Sequence, residues 1–115
     1  MGNKVIKFKN DKFKKNRGGY SRWLSLNCEK CKMQLSIYQK DGPGILKRLY
    51  LDRIIFPADL KGKQKLECKK CKRILGILIM YEKEKRPAFR LFVGAVEKKI
   101  IKENGNKNIM GFIAK

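Results

Sequence analysis

Two cysteine pairs, displaced from each other by 40 residues, set the terms on which this chain can fold. The first lies in the run from Leu26 to Leu35 (LNCEKCKMQL) and the second in the run from Leu66 to Leu75 (LECKKCKRIL). The displacement lays Leu26, Cys28, Lys30, Cys31, Lys32, Leu35 and Ile37 on Leu66, Cys68, Lys70, Cys71, Lys72, Leu75 and Ile77. The chain has 4 cysteines and no histidine. Two residues between cysteines let one backbone turn aim both sulfurs at an ion about 2.3 Å away, with amide N–H groups turned toward the sulfurs. Two such turns complete a tetrahedron, the closed geometry of a structural metal site. The expectation is one Zn²⁺ held by Cys28, Cys31, Cys68 and Cys71, with each pair forming a tight knuckle at the tip of a β-hairpin.

Other chemistries compete for the same residues. Disulfides need an oxidising compartment, and nothing at the N-terminus reads as a secretory signal. A thioredoxin-like redox pair wants its CxxC opening a helix inside a βαβ unit, and neither copy has that setting. Iron is an alternative occupant of four thiolates, which spacing alone does not separate from zinc. The layout of Cys28, Cys31, Cys68 and Cys71 resembles the zinc-ribbon class and related two-knuckle β folds, over roughly residues 23–81. That resemblance implies a small, mainly β, antiparallel domain and no particular activity. The chain departs from it in two places. Lys32 and Lys72 stand where many knuckles carry glycine in a left-handed conformation, at a cost of about 1 kcal/mol each. The 36 residues between Cys31 and Cys68 also exceed a minimal ribbon and leave room for a further strand or two.

A chain of 115 residues fits one domain, assigned here to residues 23–115, behind a basic arm at 1–22. Hydrophobic residues make up 43%, enough for a core, although one this small gains from a metal staple. No run of 18 apolar residues suggests a membrane span, and the expected location is cytoplasmic, where thiols stay reduced. Thirty Lys+Arg against 10 Asp+Glu gives a net charge of +20. Such an excess repels itself unless a polyanion neutralises it, and nucleic acid is the commonest large polyanion.

Along the chain, residues 1–22 carry eight lysines and arginines against Asp11 alone, with Phe8, Phe13 and Tyr20 among them. Bases neutralise phosphates and aromatics stack on exposed nucleobases, so this arm is expected to order on RNA or DNA. Trp23 reads as a packing residue. The strand leaving the first knuckle alternates Met33, Leu35 and Ile37 with Gln34, Ser36 and Tyr38, the period of a half-buried strand. Asp41 to Gly44 is a turn. Residues 45–56 fit either a strand or a helix, and their β-branched and aromatic content favours strand, with Lys47, Arg48 and Arg53 on an outward edge beside Tyr50. Out of the second knuckle, Ile74 to Tyr81 is apolar on both faces, the mark of a covered central strand, with Gly76 marking a bulge or a close neighbour. Ala88 to Val96 reads as one further strand with Phe89, Leu91 and Val93 inward. The apolar end at Ile109 to Ile113 reads as an edge strand or a frayed terminus.

Catalytic chemistry is not expected. The commonest general base is missing, the serines have no triad neighbours, and the cysteines are used up as ligands. Asp41, Asp52 and Asp59 read as salt-bridge partners. The function expected is non-enzymatic binding of nucleic acid, RNA before DNA, within a ribonucleoprotein such as a ribosome. The contacts expected are Lys12, Lys14, Lys15, Arg17 and Arg22 in the arm, and Lys30, Lys32, Lys69, Lys70, Lys72 and Arg73 at the knuckles. The alternative is a zinc-scaffolded adaptor docking on an acidic protein.

Overall fold

In the computed structural model the described residues are 8–101, and eight antiparallel strands build two four-stranded sheets from them. They are β1 (Ser21–Cys28), β2 (Gln34–Asp41), β3 (Arg48–Tyr50), β4 (Ile54–Phe56), β5 (Lys65–Glu67), β6 (Ile74–Tyr81), β7 (Arg86–Leu91) and β8 (Val96–Ile101). One sheet runs β4-β2-β1-β8 and the other β3-β7-β6-β5. A short helix, α1 (Lys12–Asn16), precedes them, started by Asp11, whose carboxylate accepts the Lys14 N–H. No described helix is long and apolar enough to cross a membrane. The expected strand at 109–113 lies outside the described residues.

The sequence repeat is a repeat of structure down to its irregularities. Leu26 faces Ser36, Ser25 faces Ile37 and Asn27 faces Gln34 across β1–β2. Forty residues on, Leu66 faces Gly76, Lys65 faces Ile77 and Glu67 faces Ile74 across β5–β6. Each hairpin has its bulge at the same step, after Leu26 and after Leu66. The inward residues Leu26, Cys28, Leu66, Cys68 and Leu75 are almost fully buried in one core with Leu24, Leu49 and Phe89. Gly76 is required where it stands, because a Cβ there would meet the Arg90 carbonyl oxygen at 2.6 Å. The close neighbour expected at this glycine is therefore β7.

The outer faces of the two hairpins differ, in the reverse of the sense expected. β2 is buried on both faces. Trp23, Ile37 and Ile101 form a second small core roofed by Phe8, Ile55 and Phe56, and the Phe8 ring stacks on Trp23 at 4.3 Å. Tyr38 points into the main core, where its hydroxyl accepts the Tyr50 N–H at 2.9 Å. A polar side chain can lie inside when its hydrogen bonds are met, which alternation alone does not reveal. Conversely β6 is only half covered, with Ile77 49% exposed and Met80 52% exposed. Nothing among the described residues roofs Ile77 as Phe8 and Phe56 roof its counterpart Ile37.

Two further expectations need correcting. Residues 48–56 make two short strands, one in each sheet, joined by a 3-10 turn at Leu51–Arg53. That turn carries Arg53 inward, where it is 1% exposed instead of lining an outward edge. Residues 88–96 likewise divide: β7 ends at Leu91, a turn leaves Val93 fully exposed, and β8 crosses to the other sheet.

Arg53 anchors a network that ties residues 8–20 to the domain. Its Nε donates to Asp41 at 2.8 Å and its Nη2 to Asp11 at 2.6 Å. Asp52 accepts from Arg86 at 2.7 Å, and Arg86 also donates to Glu84 at 2.9 Å while lying between the rings of Phe13 and Tyr50. Glu84 in turn pairs with Arg17 at 2.7 Å. Gln39 completes the attachment, accepting the Lys9 N–H and donating to the Lys9 carbonyl. The Arg53 hydrogen bond holds the Asp11 carboxyl below its ordinary range. Burial works to raise Glu84, but Arg86 and Arg17 outweigh it and hold that carboxyl low as well. Carboxylates with depressed folded-state values contribute stability that is complete above about pH 5 and is lost as pH falls through those values. Arg53→Met leaves buried Asp41 without its cation and should cost about 3 kcal/mol or more, read as a lowered urea midpoint at neutral pH. An unchanged midpoint would show that the network contributes nothing.

Candidate metal centre

Each knuckle is a short turn closed by two backbone hydrogen bonds. The Cys28 N–H donates to the Met33 carbonyl and the Lys32 N–H to the Cys28 carbonyl, both at 2.8 Å. In the second copy the Cys68 N–H donates to the Arg73 carbonyl and the Lys72 N–H to the Cys68 carbonyl, both at 2.9 Å. Lys32 and Lys72 share a φ of 66°, the left-handed conformation anticipated for them. The backbone hydrogen bonds of the turn help to offset the strain at a non-glycine residue there, and a metal bound by the paired sulfurs would add to them.

The two tips converge. The four sulfurs all lie within 4.8 Å of one another. Cys31 Sγ is 3.4 Å from Cys68 Sγ, and Cys28 Sγ is 3.7 Å from Cys71 Sγ. A tetrahedron with metal–sulfur bonds of about 2.3 Å has edges of about 3.8 Å, so the donor set fits one tetrahedral ion. All four cysteines are free. Cys28 and Cys68 are fully buried at the base of the site, while Cys31 and Cys71 are partly accessible.

The electrostatics of the thiols point the same way. Burial works to raise Cys28, yet N–H groups of Cys31 and Lys30 aimed at its sulfur bring it below the usual thiol range. Cys68, against the same opposition from burial, is drawn to about 7 by the N–H groups of Cys71 and Lys70 and by the Cys31 thiol. Cys31 receives the Met33 N–H, but burial and the three neighbouring sulfurs push it up to about 11. The knuckles thus ready some thiolates for ionisation, and mutual repulsion prevents all four from ionising together without a cation between them. The arrangement can bind one metal ion.

The remaining residues expected at a binding surface divide by position. Lys30, Lys70, Lys72 and Arg73 are exposed at the knuckles, and no described carboxylate pairs with them. Lys32 is exposed but engaged by Glu29 at 3.5 Å and Glu97 at 3.1 Å, and Lys69 by Asp59 at 3.4 Å. In the N-terminal segment, Lys12, Lys15 and Arg22 are exposed and Lys14 is half-buried, donating to Asn10. Arg17 is turned inward to Glu84 and the Tyr50 hydroxyl. Asp41, Asp52 and Asp59 are all ion-paired, as expected.

Sequence reasoning missed one group of residues. Arg48, Arg90 and Ile77 stand side by side across β3, β7 and β6, with Tyr81 on the same face. Arg48 lies 29 or more residues from the others, so only the strand pairing reveals that they meet.

Metal loading should release protons and weaken as pH falls, because protons compete for the sulfurs. Titration with Co²⁺ should give the visible spectrum of a tetrahedral tetrathiolate at pH 7.5, fading toward pH 5. Cys68→Ser should abolish that spectrum or weaken binding by at least about tenfold. A pH-independent spectrum, or an octahedral one, would rule out the four-sulfur site. No family model matches the chain, and it matches no curated protein and no solved structure.

Proposed function

We propose that the chain is a zinc-stabilised, non-enzymatic nucleic-acid-binding protein that holds structured RNA within a ribonucleoprotein. Zinc is favoured over other ions because four thiolates around a closed tetrahedron suit it and leave no position for a reacting water. When bound, it fixes the two hairpins relative to each other and contributes folding energy outright. Cys28, Cys31, Cys68 and Cys71 hold it.

The observation that carries the proposal is how the acidic residues are spent. Asp11, Asp41, Asp52 and Glu84 are drawn into the arginine network. Glu29, Asp59, Glu82 and Glu97 each pair with a lysine. Glu67 is the one described carboxylate outside these pairs. Only Arg17, Lys32, Arg53, Lys69, Lys85 and Arg86 are ion-paired in return, and among the described residues the other bases pair with no carboxylate. An excess of this size stands ready to displace the counterions of a polyanion. At the second knuckle, Lys70, Lys72 and Arg73 present that charge from a turn held rigid by the metal, where a loose tail would first lose ordering entropy.

Replacing Lys69, Lys70 and Lys72 by glutamate should weaken binding of structured RNA by about tenfold or more near 0.15 M salt. The variant should retain its far-UV circular dichroism and its bound zinc. Affinity equal to that of the wild type in a filter-binding titration would remove the knuckle from the interface. For the wild type, log affinity should fall steeply and linearly with log salt. A salt-insensitive protein with a stoichiometric partner that survives nuclease treatment would instead be an adaptor docked on an acidic protein.

A further inference from the structure

Among the described residues, the outer face of the β3-β7-β6-β5 sheet lacks the cover that its counterpart in the repeat has. On the first hairpin the corresponding face is closed by Phe8, Trp23 and Phe56 over Ile37. On the second, Ile77 lies open beside Arg90 and Arg48 in one row across the sheet. Arg48 already stacks its guanidinium on the Tyr81 ring, 4.1 Å from the centroid. A groove of about 870 Å³ opens here between Tyr81, Phe92, Arg48 and Arg90 and the segment at Ile45 to Lys47. Among the described residues no carboxylate lines it. Arg48 and Lys47 also border an adjoining small pocket of about 110 Å³, which Arg17 and Lys40 share. Burial, and then the charges of Lys98, Arg22 and Arg17, hold the Lys40 amine below its ordinary range. Asp41 lines that small pocket as well and partly offsets its positive charge, whereas the larger groove has only Lys47, Arg48, Arg90 and Lys98 as charged lining.

We propose that this groove takes a single-stranded segment of RNA, one or two bases lying on Phe92 and on the Arg48–Tyr81 stack and the adjoining phosphates on Lys47 and Arg90. The inference rests on the RNA-binding function proposed above and supplies what the knuckles lack, a means of reading unpaired nucleotides. Stacking on an aromatic ring requires a base free of its duplex, so the groove selects loops and tails over helices. An acidic peptide would satisfy the cations but make no such use of two rings beside them.

The test uses the full, zinc-loaded chain with two probes, an oligouridine of about ten nucleotides and an RNA duplex of similar length. The variant is the double substitution of Arg90→Glu and Phe92→Ala, both exposed. Affinity for the single strand should fall about tenfold or more, with duplex affinity held within about threefold. The knuckle variant at Lys69, Lys70 and Lys72 should show the opposite preference. Unchanged single-strand affinity, or equal losses for both probes, overturns the groove proposal while the function stands. Displacement of oligouridine from the groove by polyglutamate at similar concentration also overturns it, in favour of an acidic protein. Failure of the wild type to bind either probe overturns the function and the groove together.

Discussion

Four sulfurs crowded within 4.8 Å cannot all carry charge unless a cation sits among them. The rest of the architecture depends on that constraint. The hairpins carrying the sulfurs belong to different sheets, and each has the same register, the same bulge and the same left-handed lysine. A metal ion bound at their tips would cross-link the sheets at the edge of a core that a chain of this size fills only thinly. The lysines beside the cysteines offset the cluster's negative charge and, from the same turns, present positive charge to solvent.

A second cross-link stands away from the cysteines and is made of ion pairs. Arg53 and Arg86, both nearly inaccessible, collect Asp11, Asp41, Asp52 and Glu84 from four separate segments. Burying a guanidinium is costly, and here each has carboxylates or aromatic rings around it. The consequence reaches function through arithmetic. Four carboxylates go into holding the fold together and four more pair with surface lysines, so little negative charge remains for the other exposed bases. The same economy fastens α1 and Phe8 against the domain, so much of the basic N-terminal segment is structure as well as surface.

The metal ligands were legible because a 40-residue displacement aligns residue types whose chemistry needs that spacing. The left-handed lysines followed from the same turn geometry. The β class and the tight packing at Gly76 were also readable from local pattern. What was not legible was non-local. Alternation in β2 suggested a half-buried strand, but Gln39 and Asp41 are buried with their hydrogen bonds met by Lys9, Ser21 and Arg53. An apolar β6 suggested cover on both faces, but among the described residues those that roof Ile37 have no counterpart over Ile77. Arg53 was expected outside because arginine usually is, and the two carboxylates that accept its hydrogen bonds lie 12 and 42 residues away. Pattern along a chain reports what a strand permits, whereas cover depends on which distant segment arrives.

The central claim is that one ion shared by both knuckles joins the two sheets. Native mass spectrometry of the purified chain, before and after chelation, tests it most directly when paired with near-UV circular dichroism of the same samples. The account predicts a single zinc per chain, bound with loss of cysteine protons, and collapse of the near-UV signal when the ion is removed. A metal-free chain with an intact near-UV signal, or a mass four hydrogens lighter from two disulfides, would contradict it.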